Sequence, residues 1–176
     1  PNSKLLIEAP DLNSGKPRNV LTQRLESHGI DMSRVIFSDR IENQQYSLYN
    51  KIDIALDTFP CNGGTTTCDA LFMGVPVVSV AGNTFMSRLG ATVLHNASHP
   101  EWLANSVEEY IKIAVNMAGD IAALAHTRET LRDEVENAPL MDEIGFARKV
   151  ERAYREVWKN WCSQQTAGKS LEWQNN

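Results

Sequence analysis

Residues 57–76 read DTFPCNGGTTTCDALFMGVP, and they hold the chain's densest set of groups able to do chemistry. Asn62-Gly63-Gly64 is a turn whose residue types tolerate positive φ at little cost. Its missing side chains also let a ligand approach the backbone. Thr65-Thr66-Thr67 then opens a helix. The free N–H groups and the dipole of a helix start attract an anion. One threonine is expected to serve as the N-cap. β-Branched residues are otherwise poor helix formers, so the hydroxyls in excess of the cap are the informative ones. They can donate to phosphate oxygens, and the pattern suits a diphosphate. Asp69 lies four residues after Thr65, on the same helix face. Its carboxylate can complement the dipole or accept from the two hydroxyls of a sugar diol.

Other chemistries fit the stretch less well. No Gly-Lys-Thr follows the glycines and no G-x-G-x-x-G is present. Cys61 and Cys68 flank the helix start without the His or paired Cys that a metal site needs, and without a base to activate them. They are expected to be small buried residues. Beyond the stretch, Arg88 can hold an anion or lock its own loop, with the loop role the commoner. His95 and His99 are given no role. Trp102, Tyr154, Trp158 and Trp161 read as packing anchors.

The elements that must position these groups alternate. Leu5–Ile7, Val35–Phe37, Ile52–Leu56 and Pro76–Val80 are short continuous apolar runs, the signature of strands buried on both faces. Between and after them fall helical stretches at Arg18–His28 (with Gly29 as the stop), Glu42–Tyr49, Thr65–Met73 and Thr84–Leu94. The pattern predicts an α/β fold, a doubly wound Rossmann-like parallel sheet, with residues 1–100 as the ligand-binding lobe. Helices are expected at Ser106–Met117, Asp120–Val135 and Asp142–Trp161, so that 101–163 pack on the lobe and 164–176 form a disordered tail. Four strands are fewer than such sheets usually have. Amino-terminal strands are expected to be missing ahead of Pro1, with an exposed strand edge through which copies of the chain could pair.

The 176 residues carry a formal charge of −5, with seventeen Lys and Arg scattered along the chain. That argues against nucleic acid as a partner. Three unpatterned cysteines suit a reducing compartment. No apolar stretch is long enough to span a bilayer, and a cytoplasmic location is expected.

The run IDIALDTFPCNGGTTTCDALFMGVPVVSVAGNTFMSRLGATVL resembles the carboxyl-terminal catalytic lobe of the protein O-linked N-acetylglucosamine transferases, in which a TPR superhelix precedes a two-lobed GT-B glycosyltransferase. The likeness extends over roughly Pro1 to Trp161. It implies a UDP-sugar donor, N-acetylglucosamine or another hexose, transferred with inversion to Ser or Thr of a polypeptide and without a metal. It also implies that Thr65 and Thr66 hold the diphosphate, Asp69 the ribose, Tyr46 stacks on uracil and the backbone near Ile41 pairs with the uracil edge. With Asn62, Gly63 and Gly64 these make up the expected donor site. Two positions depart from the family pattern. Gly64 stands where many members have His, and Asn43 where they have Lys. The resemblance puts the catalytic Lys and Gln, and the acceptor-binding region, upstream of Pro1, so that this chain alone is expected to be inactive. A degenerate nucleotide-binding scaffold is the alternative reading. A nucleotide-sugar epimerase would need more acid and base groups than Asp57 and Asp69.

Overall fold

The computed structural model describes residues 3–13, 15–39 and 46–172. The chain forms β1 (Leu5–Glu8), α1 (Lys16–Ser27), β2 (Val35–Ser38), β3 (Ala55–Leu56), α2 (Thr65–Phe72), β4 (Val77–Val80), α3 (Leu89–Asn96), β5 (Leu103–Ala104), α4 (Val107–Gly119), α5 (Ile121–Glu136) and α6 (Glu143–Glu172). Every strand pair is parallel: β1 with β2, and β3 with β4 with β5. Parallel neighbours need a crossover, and α1, α2 and α3 supply one each. The α/β class and the parallel pairing are those the sequence predicts.

The sequence pattern missed β5. Its two residues come directly after the buried Trp102 and are too few to show a pattern of their own. The run expected as a third strand pairs only at Ala55–Leu56. The helix expected from Thr84 starts at Leu89. Ahead of it, Ser87 Oγ donates to Thr84 O at 3.1 Å and accepts from Thr84 N–H at 3.0 Å, a local pattern that competes with helical bonding. α6 continues to Glu172, past the point where periodicity ends at Gln164, since extending a formed helix adds a bond for each residue fixed. Residues 40–45, which include Ile41, Asn43 and most of the expected helix Glu42–Tyr49, lie outside the described residues. A short 3-10 turn, Ser47–Lys51, occupies the end of that expected helix and the two residues beyond it.

β4 is buried along its whole length. Around it, Leu71, Val75, Val77, Leu94, Ala97, Trp102, Leu131 and Val135 form one core cluster. Trp102 anchors it as expected. Tyr154, Trp158 and Trp161 do not. They are 74%, 63% and 51% exposed, because α6 packs only sparsely against the other described elements. The two tryptophans stack on each other instead, with centroids 5.2 Å apart.

α2 ends sharply enough to aim β4. Gly74 takes φ 71° and donates to Leu71 O, and Val75 N–H reaches back to Ala70 O at 2.8 Å. These bonds satisfy the last carbonyls of the helix. A Cβ at Gly74 would stand 2.9 Å from the Arg128 carbonyl oxygen. Gly74→Ala is therefore expected to destabilise the lobe by about 1–3 kcal/mol, from left-handed strain and the close approach together. Hydrogen exchange of the β4 amides in the intact protein measures this, and unchanged exchange would contradict it.

Candidate functional site

The loop between β3 and α2 is organised by Asp57. Its backbone N–H continues the strand pairing to Val78 O at 2.9 Å. Its carboxylate accepts from Gly63 N–H at 2.7 Å and from Ser79 Oγ at 2.6 Å. Burial pushes this carboxyl above its ordinary range, against the pull of those two bonds and of the Thr58 N–H. Tyr110 donates to the Asp57 carbonyl at 3.0 Å. Burial, and then the nearby Asp57 charge, push its phenol up to about 12.

A carboxyl whose folded-state pKa is raised keeps its proton longer in the folded than in the unfolded chain. Its contribution to stability is greatest below the unfolded value and falls as pH rises through the raised one. The stability of wild type relative to Asp57→Asn should accordingly decline as pH climbs from about 4 towards neutrality. Denaturation of both proteins across that range tests the sign, and a constant difference would contradict it.

Asn62 and Gly63 sit behind the loop. Asn62 is 4% exposed, and its Nδ2 donates to Thr58 O at 3.0 Å. The Asn62 N–H is taken by Met86 O and the Gly63 N–H by Asp57, so neither points at a ligand. Gly63 is needed for closeness rather than for φ: a Cβ there would lie 2.5 Å from Thr66 Oγ1 and 2.7 Å from Thr67 Oγ1.

The expected threonine N-cap is not formed. Gly64 stands at the cap, and no side chain bonds to the helix start. The N–H groups of the first turn, which have no partner within a helix, therefore stay uncapped by any side chain. Thr67 is buried, whereas Thr65 and Thr66 are exposed. The hydroxyls in excess of structural need thus come down to two.

Thr66 and Asp69, one turn apart on α2, line a cleft of about 200 Å³. Its other walls are Glu8, Ala9 and Pro10, at the end of β1 and just beyond it, and Tyr46 and Tyr49. The cleft thus joins the carboxyl end of β1 to the first turns of α2, and the carboxyl ends of parallel strands are where open α/β sheets bind ligands. Tyr46 is 47% exposed, and its ring stacks loosely on Tyr49 with centroids 6.5 Å apart. The Tyr49 hydroxyl donates to Thr66 O at 3.3 Å, tying the aromatic wall to the first turn of α2. One end of the cleft is a helix start that favours negative charge. The same cleft holds two carboxylates, Glu8 and Asp69, that favour hydroxyl donors, and an aromatic wall that favours a flat ring.

Three of the eight expected site residues, Tyr46, Thr66 and Asp69, meet in this cleft. Gly64 and Thr65 form the adjoining helix start, Asn62 and Gly63 buttress the loop, and Ile41 lies outside the described residues. Sequence reasoning missed Tyr49 and the Glu8–Pro10 segment. The aromatic spacing of Tyr46 and Tyr49 was a signal for the first, but nothing local marked the second. Cys61 is exposed and Cys68 half-buried, not the buried pair expected, because the loop turns outward ahead of α2. Burial, and then the Asp69 charge, push the Cys68 thiol up. Arg88 donates to Gly82 O and so locks its own loop. His99 has more structure around it than expected. Its ring stacks on Trp102 at 4.0 Å and its Nδ1 lies 2.9 Å from Glu101. Its Nε2 lies 3.2 Å from Glu134, without hydrogen-bonding geometry. Among the described residues no cluster of three or more His, Cys, Asp or Glu could hold a metal, and no helix is long and apolar enough to cross a membrane.

Parallel strands joined by helices, with a cleft at the strand ends, define a Rossmann-like α/β lobe. Comparison with known proteins assigns it more narrowly. The chain belongs to glycosyl transferase family 41, whose model matches residues 6–150. A "Probable UDP-N-acetylglucosamine--peptide N-acetylglucosaminyltransferase SPINDLY" of Arabidopsis thaliana is 34% identical over 92% of this chain and 18% of that protein. The Caenorhabditis elegans "UDP-N-acetylglucosamine--peptide N-acetylglucosaminyltransferase" is 30% identical over 77% of this chain and 12% of its own length. A solved Thermobaculum terrenum O-GlcNAc transferase mutant superposes with a TM-score of 0.83 at 33% identity, covering 92% of this chain and 31% of that one. The chain therefore spans less than a fifth of these curated relatives, and it corresponds to their carboxyl-terminal catalytic lobe.

Proposed function

We propose that the cleft is the nucleotide half of a donor site for a UDP-sugar. In the intact protein, N-acetylglucosamine or another hexose passes from it to a Ser or Thr hydroxyl of a polypeptide. The observation that carries this is the set of groups gathered at one cleft: Thr66 beside the uncapped helix start at Thr65, the carboxylate of Asp69 and the aromatic wall at Tyr46. These groups suit a diphosphate, a ribose and a base respectively. The names of the relatives carry the same donor.

In this mechanism the acceptor hydroxyl attacks the anomeric carbon, the bond to the β-phosphate oxygen breaks, and configuration inverts. The helix start and the two threonine hydroxyls stabilise the charge gathering on the departing UDP, without a metal ion. The groups that act on the acceptor belong to the remainder of the protein, so this lobe alone is inactive. The reading places this work in the cytoplasm.

Calorimetric titration of the intact protein with UDP tests the reading, since absence of binding at millimolar nucleotide would end it. Tyr46→Ala is expected to weaken UDP binding about tenfold, from lost base stacking. An unchanged dissociation constant would remove Tyr46 from the site.

A further inference from the structure

Arg128, on α5, holds two carbonyls that belong to different parts of the site. Its Nη1 donates to Gly74 O at 2.9 Å, and its Nη2 donates to Tyr49 O at 3.1 Å. Gly74 closes α2, and Tyr49 belongs to the aromatic wall. Tyr49 also reaches the other end of the same helix, through its hydroxyl on Thr66 O. The wall is thus tied to α2 at the first turn directly and at the last turn through Arg128. An eight-residue helix is about 12 Å long, so the ties are well separated and fix both the distance and the tilt of the wall.

We propose that Arg128 is a positioning residue for nucleotide recognition. It sets the span between the aromatic wall and the helix start, and so selects a ligand whose base and diphosphate are one ribose apart, a nucleoside diphosphate. The inference rests on the cleft being the nucleotide half of a donor site. Arg128 is absent from the residues lining the cleft and acts through Tyr49 and, beside it, Tyr46. The planar guanidinium fork suits two carbonyls at once, which the single ammonium of lysine does not match.

A double-mutant cycle on the intact protein tests this, reading UDP dissociation constants well below the melting temperature. Arg128→Ala is expected to weaken UDP binding about tenfold in the native background and less than about twofold when Tyr46 is already alanine. Arg128→Lys should restore little of the loss. A structural role alone would lower the melting temperature and leave the dissociation constant unmoved. That result, or an equal loss in both backgrounds, overturns the proposal. Should Arg128→Ala fail to fold, Tyr49→Phe removes only the hydroxyl tie, and about a threefold loss that disappears in the Tyr46→Ala background is expected. No loss with Tyr49→Phe would then overturn the brace. Failure of the unaltered protein to bind UDP would instead overturn the assignment of the cleft to a nucleotide, and this proposal with it.

Discussion

Replacing Thr65 and Thr66 together by alanine is expected to weaken UDP binding by the intact protein roughly a hundredfold, with little loss of stability. Both side chains are exposed and neither caps α2, so the fold does not depend on their hydroxyls. Alanine is also a better helix former than threonine, which offsets part of any loss. Against a diphosphate each hydroxyl gives a charge-assisted hydrogen bond, about twice as strong as a neutral one. The backbone N–H groups of the first turn remain in the variant, so binding should weaken and not vanish. Thr67→Ala provides the contrast. Thr67 is 3% exposed, and its loss should act on packing with little effect on nucleotide affinity. Calorimetric titration distinguishes the cases, and equal affinity in the double variant and the native protein would remove the helix start from the donor site.

The second large effect belongs to the core behind the site. Leu71 lies on the inner face of α2, is fully buried, and sits in the cluster with Val75, Val77, Leu94 and Leu131. Leu71→Ala is expected to cost about 2–5 kcal/mol, the transfer term plus the cavity left behind. At about 3 kcal/mol, exchange of the β4 amides would speed up on the order of a hundredfold. Val115, 63% exposed on α4, is the control, and its replacement by alanine should change exchange hardly at all. A loss at Leu71 below about 1 kcal/mol would mean that α2 is not held by this cluster.

Much of this arrangement is legible in residue order because its causes are local. The Val77–Val80 run is apolar but for Ser79 and becomes the fully buried strand. Gly74 marks the end of α2 because only a glycine takes φ 71° there at no cost. Thr66 and Asp69 are one turn apart and meet the same cleft. What was not legible depends on partners distant in sequence. Arg128 meets Tyr49 across 79 residues. His99 meets Glu134 only once α5 has packed. The missing side chain of Gly63 suggests a ligand contact, but its N–H is claimed by Asp57, six residues earlier. The expected cap failed for a related reason. Gly64 took the cap position, and Thr67 turned inward to the core. The aromatic residues of α6 illustrate the opposite error. Helical spacing predicts a packed face, but the other described elements pack only sparsely against it.

The central claim is that the groups gathered at this cleft receive the diphosphate, ribose and base of UDP. A crystal structure of the intact protein with UDP tests it most directly. The expected result is a diphosphate within about 3 Å of the Thr65 and Thr66 N–H and hydroxyl groups, a ribose diol on Asp69, and uracil against Tyr46. UDP bound elsewhere, or lying in this cleft with its diphosphate turned away from the α2 start, would contradict the account.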